Sequence, residues 1–115
     1  MSDDCLFCKI IAGEIPSNKV YSDDDSYAFH DINPAAPVHV LVVPKKHICD
    51  MQATSDADEA LLGNLLLKAN KIAEILGLKE SGYRFVINTG PDSGRTIYHL
   101  HLHILGGRQL ELSAG

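Results

Sequence analysis

Apolar residues recur along this chain with two different periods, and the alternation between them maps its elements. Leu6 to Ala12 is mostly apolar and ends at Gly13, which suits a short helix with a glycine stop. Ile15-Pro16-Ser17 reads as a turn. Val20-Tyr21-Ser22 and Ser26-Tyr27-Ala28-Phe29-His30 are short strands on either side of the acidic turn Asp23-Asp24-Asp25. Asn33-Pro34-Ala35-Ala36-Pro37 breaks the chain again. The next segment, Val38-His39-Val40-Leu41-Val42-Val43, is β-branched and nearly all apolar, which predicts a central strand that Pro44 ends.

The period then changes. Leu61, Leu62, Leu65, Leu66, Ala69, Ile72, Ala73 and Leu76 recur at three- and four-residue steps, the mark of a long amphipathic helix. Ser55 or Asp56 caps its start, Asp58 and Glu59 suit its first turn, and Gly77 stops it. The apolar stripe is wide enough to bury a second surface as well as to cover a sheet. Tyr83 to Asn88 predicts another strand, Thr89 to Arg95 a glycine-bearing loop, and Tyr98 to Leu105 a last strand. Together these predict an α+β fold: a five-stranded antiparallel sheet with one long and one short helix packed on one face.

The last strand carries the candidate chemistry. His99, His101 and His103 alternate with Leu100, Leu102 and Ile104. In a strand the three imidazoles would line one side, about 7 Å apart, while the aliphatic residues face a core. Such a row binds a metal, or binds and attacks a phosphate near neutral pH.

With 115 residues, 45% hydrophobic and 22% charged, the chain reads as one globular domain, residues 1–115. A net charge of −5 speaks against a sequence-independent nucleic-acid binder, which would carry a basic face. It leaves room for a single nucleotide. No apolar run reaches the roughly 20 residues of a membrane span. The start, Met1-Ser2-Asp3-Asp4, is acidic where a secretory signal would be basic, so a cytoplasmic location and no membrane partner are expected. Three cysteines, Cys5, Cys8 and Cys49, make no disulfide framework. They point to metal binding or to thiols packed as small hydrophobes, the latter for Cys49.

The pattern His-x-His-x-His followed by apolar residues resembles the signature of the histidine triad superfamily of nucleotide hydrolases and transferases. The resemblance continues through Leu6-Phe7-Cys8-Lys9-Ile10-Ile11, Ala28-Phe29-His30-Asp31-Ile32-Asn33-Pro34, Pro37-Val38-His39, Val43-Pro44-Lys45-Lys46-His47 and Gly106-Gly107-Arg108-Gln109. In that order it is similar to the purine nucleoside phosphoramidase branch, Hint. The resemblance implies a homodimer joined through the long helix and a strand near the C-terminus. The reaction it implies is hydrolysis of the P–N bond of purine nucleoside 5′-phosphoramidates or aminoacyl-adenylate-like compounds, through a nucleotidyl-histidine intermediate and with no organic cofactor.

Carried over residue by residue, the resemblance makes His101 the nucleophile and His103 a donor to a nonbridging phosphate oxygen. His39 would orient and protonate the triad. Gly94 and Thr96 would approach the phosphate or leaving group, and Asn88 the phosphate or sugar. Arg95 departs from the family's usual Gln; it either favours an anionic leaving group or lies in solvent. Asp31 would take the ribose hydroxyls. Leu6, Phe7, Ile10, Ile15, Phe29 and Ile32 would form the base pocket. Cys5 and Cys8 form a CxxC pair that, with His47 and His99, resembles the structural zinc site of some triad-superfamily members. The alternatives for the pair are uncoordinated cysteines or a redox couple. If His99 holds zinc, it stiffens the strand instead of acting as a free acid. Three other functions compete: dinucleoside polyphosphate hydrolysis, a non-catalytic nucleotide-binding or scaffold role, and zinc storage or sensing.

Overall fold

A computed structural model describes residues 5–94 and 96–112. The apolar segment becomes β3, Val38–Pro44, the middle strand of a five-stranded sheet. The others are β1 (Lys19–Ser22), β2 (Ser26–His30), β4 (Tyr83–Val86) and β5 (Leu102–Gly106). Their order is β1-β2-β3-β5-β4, and every neighbouring pair is antiparallel.

The helices are α1, Leu6–Ile11, and α2, Glu59–Ile75. They do not share a face of the sheet, contrary to the expectation from sequence. On β2 and β3, Ala28, Val40 and Val42 pack with Leu65, Ala69, Ile72 and Ala73 of α2. Their neighbours Tyr27, Phe29, Leu41 and Val43 pack with Phe7, Cys8 and Ile10 of α1. Side chains alternate across a strand, so a segment buried at every position must be covered on both sides. The unbroken apolar run of β3 is the sequence trace of this sandwiching. Leu65, Ile72, Leu102 and Ile104 are fully buried, each contributing about 1.5–3 kcal/mol of transfer free energy.

Both helices stop at glycines. Gly13 (φ 81°) and Gly77 (φ 79°) take the left-handed conformation, and the following amides close back onto Lys9 and Ala73 carbonyls at 2.9 and 3.0 Å. Ahead of α2, Ser55 forms a capping box with Asp58, but the α-helix proper begins at Glu59.

The histidine segment is a strand only from Leu102 onward. Val42 pairs with Leu102, so two residues further Pro44 stands opposite Leu100. Proline has no N–H to donate, and the ladder ends there. Leu100 instead donates to the Ile48 carbonyl at 2.6 Å. The chain before Leu102 is therefore free to send His99 and His101 in separate directions. β4 likewise ends at Val86, two residues short of Asn88.

Candidate active site and metal centre

Four histidines lie on the α1 side of the sheet, and backbone groups determine which ring nitrogen of each carries a proton. His101 Nδ1 lies 2.7 Å from the carbonyl of His99 and must donate to it, leaving a lone pair on Nε2. His39 Nδ1 accepts from the Ala35 amide at 3.0 Å, so its proton sits on Nε2. That Nε2 lies 2.8 Å from His103 Nδ1, which accepts. The proton of His103 is thereby left on Nε2, a buried atom with no hydrogen-bond partner among the described residues. The rings are close: His101 and His103 centroids are 4.9 Å apart, those of His39 and His103 5.1 Å. Phe7 meets His101 edge-on at 5.2 Å.

This arrangement presents a bare nucleophilic nitrogen on His101 beside an unsatisfied donor on His103. Burial pushes the imidazoles of His39, His101 and His103 below the usual histidine range, His103 to about 4. All three are neutral at pH 7. Asp31 opposes the shift in each and stands 3.4 Å (Oδ2) from His39 Nε2. Its Oδ1 accepts from the Asn33 amide at 2.8 Å.

His99 belongs to a different cluster. Its Nε2 donates to the Pro44 carbonyl at 2.9 Å, so Nδ1 carries the lone pair. That atom faces Cys5 Sγ at 3.3 Å, Cys8 Sγ at 3.6 Å and His47 Nδ1 at 3.2 Å, while Cys8 Sγ lies 3.4 Å from His47 Nδ1. All four candidate ligand atoms fall within 4.8 Å of one another. A tetrahedral zinc with bonds of about 2.0–2.3 Å has ligand–ligand edges of about 3.3–3.8 Å. The donor set fits such an ion in type and spacing, and the Pro44 carbonyl supplies the outer contact that fixes the ligand tautomer. Burial and the adjacent Cys5 thiol push the Cys8 thiol up to about 11, a cost that a coordinated cation removes.

Asp31, His39 and His103 also bring ligand-type atoms within 4.8 Å. They suit a cation poorly. His39 offers a proton at Nε2 where a metal needs a lone pair.

The model of the HIT domain matches residues 12–110. The chain belongs to the HIT family. An uncharacterised HIT-like protein of Synechocystis is 51% identical over the full length of both chains. A HIT family hydrolase from Legionella pneumophila superimposes with a TM-score of 0.94 at 49% identity, covering 97% of this chain and all of that one. A histidine triad nucleotide-binding protein from Candida albicans gives 0.80 at 31% identity, covering 97% of this chain and 87% of that one.

Within this HIT domain the remaining expected site residues divide. Phe7, Ile10 and Phe29 are buried in one cluster with Ile15 packed against it. Leu6 is 40% exposed and Ile32 91% exposed, so neither is core; Leu6 and Thr96 line a cavity of about 310 Å³ beside Cys5 and His47. Thr96 is exposed and makes no hydrogen bond to the described histidines. Gly94 is left-handed (φ 83°) and open to solvent. Asn88 is half-buried, without a side-chain hydrogen bond to another described residue. Arg95 lies outside the described residues. Sequence reasoning missed the Ala35 amide and the Pro44 carbonyl, because a side-chain pattern carries no signal for a backbone group. No described helix is long and apolar enough to cross a membrane.

Proposed function

We propose that the protein is a purine nucleoside phosphoramidase: it hydrolyses the P–N bond joining a nucleoside 5′-monophosphate to an amine. The observation that carries this reading is the tautomer set, with His101 Nε2 bare and His103 Nε2–H unsatisfied beside it. His101 Nε2 attacks phosphorus, forming a P–N bond to imidazole as the substrate P–N bond breaks and the amine departs, taking up a proton from solvent that the second step returns. The His99 carbonyl, holding Nδ1–H, steadies the positive ring. His103 Nε2–H donates to a nonbridging oxygen as negative charge accumulates there. Water then attacks phosphorus, the nucleoside monophosphate leaves, one proton is released and His101 is restored.

Asp31 accepts from the ribose hydroxyls, and the Phe7–Ile10–Ile15–Phe29 surface takes the base. A mainly apolar surface discriminates adenine from guanine weakly. Cys5, Cys8, His47 and His99 would hold a structural zinc, which would neutralise two buried thiolates and pin the N-terminal segment to the segment before β5. The protein acts as a homodimer. Leu67 and Ile75 on α2, each 63% exposed, and the outer edge of β4 at Tyr83 support that assembly.

Steady-state hydrolysis of an adenosine phosphoramidate bearing a fluorescent amine, by wild type and His101→Ala, tests the reading. Turnover by wild type that is lost in the variant, with AMP affinity kept within about tenfold, is expected. Full activity in His101→Ala rejects His101 as nucleophile. Diadenosine triphosphate cleaved faster than the phosphoramidate rejects the substrate class.

A further inference from the structure

The Gly106-Gly107-Arg108 stretch that closes β5 lies against the turn that carries the Ala35 amide. From Pro34 to Pro37 only Ala35 and Ala36 have a backbone N–H, so the turn can make few hydrogen bonds of its own. Ala35 is exposed, and water competes for its amide. Two contacts from the end of β5 reach this turn. Gly107 takes a left-handed φ of 91°, and a Cβ there would stand 2.9 Å from Pro37 Cβ and 3.3 Å from Val38 Cγ2. Only glycine allows so close an approach. Arg108 Nη2 then donates to the Ala35 carbonyl at 3.2 Å, while its Nη1 donates to the Gln109 carbonyl at 3.1 Å. No acidic side chain among the described residues forms an ion pair with this guanidinium, so backbone carbonyls are what it engages.

We infer that Arg108 is a positioning residue for the histidine relay: it holds the Ala35 carbonyl, and so keeps the Ala35 amide on His39 Nδ1 and the His39 N–H on His103. The inference rests on the nucleoside phosphoramidase reading above. Arg108 acts through place, not polarity. The amide and carbonyl of Ala35 belong to different peptide groups, with only the φ and ψ of Ala35 between them. Fixing one therefore limits where the other can point. The Ala35 amide reaches His39 Nδ1 at 3.0 Å, and His39 Nε2 reaches His103 Nδ1 at 2.8 Å. Without the guanidinium the Ala35 amide turns toward water, and His39 Nδ1 loses its donor. The His39 ring is then free to rotate, or to hold its proton on Nδ1. Either change takes the donor from His103 Nδ1. The His103 proton is then no longer confined to Nε2, where it would meet the phosphate. Arg108 makes no hydrogen bond to either imidazole, so it shapes the site from outside.

The test pairs ring-nitrogen NMR of the unliganded full chain with adenosine phosphoramidate kinetics, in wild type, Arg108→Ala and Arg108→Lys. Arg108 is exposed, so both variants are expected to keep the wild-type Tm. In wild type the His39 signals are expected to show a bare Nδ1 and a protonated Nε2. In Arg108→Ala both are expected to move toward tautomer-averaged positions, with the His103 signals following. There kcat is expected to fall about three- to tenfold with KM within about twofold, the scale of one net hydrogen bond. Arg108→Lys, which keeps one cationic donor, is expected to recover part of both changes. His39 signals unchanged in Arg108→Ala, or a loss confined to KM, overturns the inference while phosphoramidase activity stands. Absence of turnover in wild type overturns the functional reading, and the NMR comparison still decides whether Arg108 sets the state of His39.

Discussion

His39 Nε2 lies 2.8 Å from His103 Nδ1, although 64 residues separate the two in the chain. The Ala35 amide behind His39 makes the direction of this hydrogen bond unambiguous. Removing the donor by His39→Ala leaves His103 Nδ1 unpartnered in a buried site, a loss of about 1.5–3 kcal/mol where charge develops. The expected outcome is a fall in kcat of about ten- to hundredfold with KM within about threefold. A fall in KM-dependent terms alone, measured by steady-state kinetics, contradicts a relay role.

The convergence of Cys5, Cys8, His47 and His99 makes a quantitative demand on composition. Elemental analysis of protein purified without chelator is expected to give about one zinc per subunit, and Cys8→Ser clearly less. Chelation is expected to lower Tm by at least about 5 °C, since a ligand bound only to the native state stabilises it. Well under one zinc, with a Tm insensitive to chelator, rejects the site.

Acid sensitivity follows from buried imidazoles. The His103 pKa is depressed to about 4, against about 6.5 in an unfolded chain, and that of His39 is depressed in the same direction. Between these values the unfolded state binds the proton and the native state does not. The stability contribution is therefore whole above about pH 6.5 and is lost as pH falls toward 4. Below that, Asp23, whose native carboxyl Lys68 at 2.6 Å holds well under the usual range, takes up its proton first in the unfolded chain, and a second contribution is progressively lost. Thermal melts are expected to show Tm declining through pH 6.5 to 4 in wild type, and less steeply in His103→Gln. A flat profile over that window contradicts neutral burial of the pair.

Leu66, Leu67 and Ile75 leave 46%, 63% and 63% of their surfaces exposed along α2, while Leu65, Ala69 and Ile72 are buried beneath. Leu67→Glu places a charge in the exposed stripe without touching the core. Light scattering is expected to show a dimer for wild type and a monomer for the variant, with the melting transition of the monomer retained. A wild-type monomer at micromolar concentration contradicts the assembly.

The sequence by itself determined the elements and the neighbourhood of the chemistry. Period-two and period-3.6 patterns are local, so the strands around Phe29, Leu41 and Ile104 and the long helix under Leu65 and Ile72 were readable from neighbours a few residues apart. The alternating histidines and the CxxC pair likewise announced two sets of reactive side chains. What only the tertiary structure decided is how those side chains are divided and protonated. Pro44 opposite Leu100 stops the ladder, so His99 turns to the cysteines while His101 and His103 remain with His39. α1 covers the face opposite α2, which local periodicity cannot distinguish from the same face. The proton positions depend on the His99 carbonyl, the Pro44 carbonyl and the Ala35 amide lying within 3 Å of particular ring nitrogens. Every residue carries the same amide and carbonyl, so side-chain identity marks none of them; only the folded path of the chain brings the right one to each histidine.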